Sequence, residues 1–190
     1  MVEAYELTEL TVDSARTAAA RLLGHDEHRW AHVQAVASKA AQAAAVLGPA
    51  DGDLLVVTAW LHDVGYAAPL VVTKFHSLDG ALWLRGQGQE RVACLVAHHS
   101  CASFEAGLRG LSELMATFSD EGTAVRDLLT YCDMTTGPRG QAMTLAERLL
   151  DVERRYGPGH VVTRGLRSAE AELSHQLAAA SRLLGATHPM

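Results

Sequence analysis

The sequence predicts an all-α fold, and three observations carry that expectation. Of the 190 residues, 48% are hydrophobic but only 5% aromatic, and alanine is abundant; this suits closely packed helices better than a sheet rich in aromatic and β-branched side chains. Apolar positions recur at helical spacing, as in Val92, Leu95, Val96 and His99. Glycine and proline punctuate the ends of such stretches, most clearly at Gly48-Pro49 and Gly157-Pro158-Gly159. A chain of this length buries roughly 70% of its unfolded surface as one domain, and needs no disulfide to fold.

Charge and composition narrow the function classes. The formal charge is -6 with no Lys/Arg-rich run, which argues against the basic stripe a nucleic-acid duplex requires. The start carries Glu3, Glu6 and Glu9, and nothing later approaches an uncharged apolar run of roughly 18 residues, so the expectation is a soluble, cytoplasmic protein without a membrane partner. Cys94, Cys101 and Cys132 are odd in number and lack CxxC spacing, and free thiols are expected. Cys94 and Cys101 lie about 10.5 Å apart if one helix continues through both, too far for a disulfide.

Taken in order, the first helix spans Asp13 to Leu23, with Gly24 placed to stop it. The polar loop His25 to His28 is able to rim a site. A second helix, Arg29 to Leu47, carries His32, Val36, Ala40, Ala43 and Leu47 on one face, so His32 points inward with the aliphatic residues. The third begins at an Asp51 or Asp53 cap, runs through Leu61 into His62-Asp63 and stops at Gly65. Neighbouring helical residues diverge by about 100°, so His62 and Asp63 share a centre only at a helix end. Tyr66 to Phe75 reads as a loop forming a pocket wall, and a fourth helix runs from His76-Ser77, with Ser77 as cap, to Arg85-Gly86. The fifth starts near Gln89 and ends in His98-His99. Gly107 and Gly110 interrupt a short polar region before Leu111 to Phe118. A further helix carries Val125, Leu128, Leu129 and Cys132 to Asp133, whose negative charge at a helix C-terminus calls for a compensating positive group. Two amphipathic helices, Leu145 to Tyr156 and Ser168 to Leu184, close the chain, with Glu153-Arg154-Arg155 read as a solvated face and His160, His175 and His188 as incidental.

The chemistry lies in the series His32, His62-Asp63, His76, His98-His99 and Asp133, set in apolar or small-residue surroundings. Imidazole or carboxylate buried there is costly unless paired or bound to a metal. The series therefore reads as one metal site assembled from five segments. Asp63, with one oxygen for each of two ions, is the natural bridge. His99 shares the apolar face of its helix and is the preferred ligand of its pair, leaving His98 as a third-metal ligand or substrate contact.

Arg29-Trp30-Ala31-His32-Val33, Leu61-His62-Asp63-Val64-Gly65, His76-Ser77-Leu78-Asp79-Gly80-Ala81, Ala97-His98-His99-Ser100 and Asp133-Met134 together resemble the successive motifs of the HD-domain superfamily. The resemblance covers about Arg29 to Asp133 and implies an all-helical bundle with a buried metal centre that usually hydrolyses phosphoesters. It divides the chain into an N-terminal helix and loop at 1–28, a core at 29–140 and C-terminal helices at 141–190 packed on that core. It implies that His32, His62, Asp63 and Asp133 hold a first metal, and that His76 with His98 or His99 matches the extra histidines of dinuclear subgroups. Two subgroup signatures are missing: Tyr66-Ala67-Ala68 stands where the dinucleoside polyphosphate hydrolases usually carry Lys, and no Gly-Tyr-Pro follows His98-His99.

The expected activity is hydrolysis of a small phosphorylated substrate by a metal-activated water, with Asp63 catalytic and one or two divalent ions (Mn, Fe, Co, Ni or Mg) as cofactors. Arg29, Lys74 and Arg139 are the chosen phosphate-neutralising residues, with Arg85 and Arg109 further candidates. The same ligands would also serve a di-iron oxygenase acting on a small polar substrate, or a non-catalytic nucleotide-binding module. The amphipathic C-terminal helices leave a homodimer as an option.

Overall fold

The computed structural model describes residue 7 and residues 9–186, and among these the regular secondary structure is helical, apart from one isolated bridge between Thr136 and Ala142. Eleven α-helices follow in order: α1 Val12–Leu23, α2 Glu27–Ala43, α3 Pro49–Leu61, α4 His76–Gly86, α5 Glu90–His98, α6 Ser103–Leu108, α7 Ser112–Met115, α8 Ala124–Met134, α9 Leu145–Tyr156, α10 Val161–Ser168 and α11 Glu170–Ala186. None of the described helices is long and apolar enough to cross a membrane. The expectations on Glu3 and Glu6 lie outside the described residues.

Helix α3 is the axis of the bundle. Leu55, Val56, Val57, Thr58, Ala59 and Leu61 are all buried, as a helix apolar all round must be. It packs against α1, α2, α5 and α8, and its end delivers His62 and Asp63 to the centre of the molecule. Small residues make this close packing possible: Ala15, Ala18, Ala19, Ala40 and Ala59 have no exposed surface. One apolar core joins α1, α3, α4 and α5, a second joins α2, α3 and α8, and a third ties Cys101 and Met134 to Leu149, Ala169 and Leu173 of the C-terminal helices. The last three helices thereby pack on the bundle that carries the ligand series.

Local chemistry explains the helix starts. Asp26 caps α2 by accepting from the Arg29 N–H at 3.0 Å. Thr144 and Glu147 form a reciprocal capping box on α9. Pro49 opens α3 at its first turn, where a missing N–H costs nothing; this proline, and neither Asp51 nor Asp53, sets the start. Phe75 precedes α4, and Ser77 lies inside its first turn without capping it.

Two helices were not expected. α6 fills part of the polar stretch before Gly110, and α10 occupies Val161–Ser168, between the predicted turn at Gly157-Pro158-Gly159 and the last predicted helix. Val161, Val162, Thr163 and Gly165 are poor helix formers. They are held by packing: α10 lies so close to α6 that a Cβ on Gly165 would sit 2.8 Å from the Cβ of Glu105. The three cysteines are free and buried.

Candidate metal centre and the cavity above it

Four helix ends and the inner face of a fifth helix converge on one buried point. His32 lies on the inner face of α2, His62 caps the C-terminus of α3, Asp63 follows it, His76 opens α4, His99 follows α5, and Asp133 ends α8. The Asp63 backbone leaves the helix at φ -103° and enters a 3-10 turn over Val64–Tyr66, so the adjacent His62 and Asp63 reach the same point. Gly65 does not stop α3, which has already ended at Leu61; its role is close approach. A Cβ there would lie 1.9 Å from the His76 carbonyl oxygen, so glycine alone lets the Asp63 turn lie against the start of α4.

The donor atoms form two sets that share Asp63. His32 Nε2 lies 3.4 Å from His62 Nε2 and 3.1 Å from Asp133 Oδ1, and Asp63 Oδ2 is 3.6 Å from His62 Nε2. On the other side, His76 Nε2 lies 3.3 Å from His99 Nε2 and 3.6 Å from Asp63 Oδ1. One carboxylate thus turns a different oxygen to each pair of imidazoles. Within each triad, His32-His62-Asp63 and Asp63-His76-His99, the donor atoms lie within 4.8 Å of one another.

Three of these imidazoles are oriented by backbone carbonyls. The Nδ1–H groups of His32, His62 and His99 donate to Gly137 O at 3.1 Å, Ala59 O at 2.8 Å and Val96 O at 2.6 Å. With those protons committed, each Nε2 offers a bare lone pair, and lone pairs facing one another and a carboxylate repel unless a cation lies between them. The protonation states agree. Burial lowers the pKa of His62, and pushes that of His76 down to about 3 against the pull of Asp63, so both are neutral ligands at pH 7. Burial alone would raise Asp63 and Asp133, but Arg29 and His62 beside the first, and His32 and His62 beside the second, hold both carboxyls well below the usual range. The residues therefore fit divalent metal ions.

The surrounding contacts fix this set. Arg29 Nη1 donates to Asp63 Oδ2 at 2.6 Å. The Tyr66 ring lies 3.7 Å from the Arg29 guanidinium and 4.1 Å from the stacked His76 ring. Neither distance leaves room for both partners on one face, so the ring is sandwiched between them. Ser100 donates its hydroxyl to Asp133 Oδ2 and adopts φ 52°, with Cys101 at φ 58°; each left-handed residue costs roughly 1–2 kcal/mol. The positive groups expected beside Asp133 are present: Arg148 Nη2 lies 3.6 Å from Oδ1, and Lys39 Nζ donates at 2.8 Å to the Thr135 carbonyl just beyond the helix end.

A cavity of about 500 Å³ opens above the cluster, lined by His32, Asp63, His76, His99 and Asp133, by Asp26 and His28, and by α9 and α10. Its size suits a small molecule. Of the three cations singled out from sequence, Arg29 and Arg139 line it; Lys74, exposed at φ 63° on the loop before α4, does not. His98 also departs from expectation. Its Nε2–H donates to the Phe118 carbonyl at 2.8 Å, while His99 turns into an extended conformation at ψ 145° and reaches the cluster.

Tyr66, Ser100, Arg148 and Tyr156 were not singled out from sequence. Arg148, Val152 and Tyr156 recur every four residues along α9 and line the cavity, and Arg155 beside them does too, so the supposed solvated face is partly a cavity wall. That periodicity was the available signal, but it marks a shared face without saying what the face meets.

Nothing among curated proteins or solved structures matches the chain. A family match is found over residues 29–152, well over half of the sequence, and it takes in every residue of the converging cluster together with the α9 arginine beside Asp133. The description of that match is HD domain, and the chain belongs to the HD-domain family.

Proposed function

We propose that the protein is a metal-dependent phosphohydrolase that cleaves a small phosphoester with water. Belonging to the HD family supports the hydrolase class, and the observation that carries the reading is the division of Asp63 between two histidine pairs. His32, His62, Asp63 and Asp133 would hold one divalent ion, and Asp63, His76 and His99 a second. Such ions polarise a phosphoryl oxygen and bring the pKa of a water toward neutrality, and paired ions assist both the attacking and leaving oxygens. The chain's own part is positioning and charge. The carbonyl-bound imidazoles keep their lone pairs directed inward, and buried Asp63 and Asp133 stay ionised. Arg29, fixed by Asp63 and Tyr66, and Arg139 on the rim place positive charge beside an entering phosphoryl group. The cavity limits the substrate to a small molecule.

The test is metal content per chain after purification without chelator, followed by turnover on a panel of phosphomonoesters, phosphodiesters and nucleotides. Roughly two divalent ions per chain with hydrolysis abolished in Asp63→Ala is the expected result. Two irons with substrate-dependent oxygen uptake and no phosphate release would replace this reading with an oxygenase.

A further inference from the structure

We propose that Arg148 binds a non-bridging oxygen of the substrate's phosphoryl group while the apolar face of α9 and α10 receives the leaving group, which makes the substrate a phosphomonoester of an apolar or aromatic alcohol. The proposal rests on the phosphohydrolase reading.

Arg148 differs from the other arginines around the cavity. Arg29 is bound to Asp63 at 2.6 Å, Arg155 to Asp151 at 2.9 Å and, behind the Phe75 wall, Arg109 to Glu105 at 2.7 Å. Arg139 is exposed to water. The Arg148 side chain is only 11% exposed, yet its ion pairs are long: 3.6 Å to Asp133 Oδ1 and 4.0 Å to Asp151 Oδ2. Its side chain makes no hydrogen bond among the described residues, and its buried Nε has no partner. A guanidinium offers five N–H donors in a rigid fork, and leaving them unmet in a nearly buried place costs more than a made bond contributes. Arg148 lines the cavity beside the Asp133 carboxylate with both Nη groups beyond hydrogen-bond distance of their carboxylates, and donors so placed suit an oxyanion.

The count of oxygens selects the ester. A phosphodiester has two non-bridging oxygens and one negative charge; a monoester has three, and up to two charges. Metal ions held by the cluster would take up part of the phosphoryl charge, and Arg148 would supply donors for a further oxygen, a demand that the three oxygens of a monoester meet better than the two of a diester. Beyond it, Val152 and Tyr156 continue the Arg148 stripe of α9 at four-residue steps, and Val162 and Leu166 share a face of α10 on the same cavity. These side chains offer apolar surface to whatever the phosphoryl group is attached to.

The experiment uses the full, metal-loaded protein with Arg148→Gln, Arg148→Lys and Val162→Asn. Inorganic phosphate binding is measured by calorimetry, metal per chain by elemental analysis, and kinetics on phenyl phosphate, glycerol 2-phosphate and bis(p-nitrophenyl) phosphate. Arg148→Gln is expected to weaken phosphate binding about tenfold and to lower kcat/KM on phenyl phosphate roughly 10²-fold, with metal content unchanged and Arg148→Lys recovering part of the loss. The diester is expected to be the poorer substrate. Val162→Asn is expected to raise KM for phenyl phosphate several-fold, by about the cost of an apolar contact, and to spare glycerol 2-phosphate. Unchanged phosphate affinity in Arg148→Gln, loss of metal in that variant, or equal effects of Val162→Asn on both monoesters would overturn the proposal. If the wild type cleaves no phosphoester but binds phosphate through Arg148, the hydrolase reading fails and the oxyanion site stands.

Discussion

The floor of the cavity and its outer wall satisfy their polar groups in opposite ways. On the floor, where the inner face of α2 meets the ends of α3, α4, α5 and α8, three imidazoles are tied to backbone carbonyls, Asp63 is held by Arg29, and Asp133 by Ser100. On the wall, formed by α9 and α10, the Arg148 guanidinium makes only long ion pairs and no hydrogen bond among the described residues, while Tyr156 is 38% exposed. The floor is organised before any ligand arrives, whereas the wall leaves donors and apolar surface for one. In a preorganised site the expensive groups are those whose geometry sets the chemistry, and side chains that read the substrate are the ones with unmet capacity.

The comparison is broken most directly at Asp63. Asp63→Ala removes the shared carboxylate, and turnover should fall roughly 10³-fold or more with loss of metal; an active, metal-replete variant would show that the floor is not the reaction centre. Gly65→Ala tests whether floor geometry depends on backbone contact. A Cβ 1.9 Å from the His76 carbonyl should force the turn away from α4 and cost about 2–4 kcal/mol in stability, read from denaturant unfolding. In chelator, stability should decline with pH. Because the native pKa of His62 and that of His76, at about 3, lie below the ordinary imidazole value, the unfolded chain takes up protons first as pH falls below about 6.5, a loss of up to about 1.4 kcal/mol per unit for each imidazole. His76→Gln should flatten that dependence. Tyr66→Ala should lower kcat by roughly tenfold through loosened Arg29 and His76, while Tyr66→Phe keeps the sandwich and should keep the rate. The smallest effect belongs to the wall's foundation: Thr144→Ala removes the α9 cap and should cost about 1 kcal/mol of stability, with little change in metal content.

The floor was legible in the sequence because side chains able to hold a metal ion are restricted to a few residue types. His32, His62, Asp63, His76, His99 and Asp133 stand out as costly groups in apolar stretches, and the structure brings all six together. Within His98-His99 the helical phase favoured His99, although what separates them is a left-handed break at Ser100 that periodicity does not register. The wall was poorly legible. An arginine on an amphipathic helix looks the same whether it meets water or a cavity, so Arg148 and Arg155 carried no distinguishing mark, and Lys74 was as plausible as Arg139.

Composition and helical spacing by themselves determined an all-α bundle, and the apolar setting of the ligand types marked its inward-facing donors, because those features follow from burial costs local to each segment; the HD family was legible only as a resemblance of the ordered motifs. Only the tertiary structure decided which histidines face each oxygen of Asp63, that Gly65 serves contact and not helix termination, that Val161–Ser168 is helical, and that α9 lines the cavity over the site. Each of these depends on which distant segment lies opposite, and approach between segments is set by packing that no single stretch of sequence encodes.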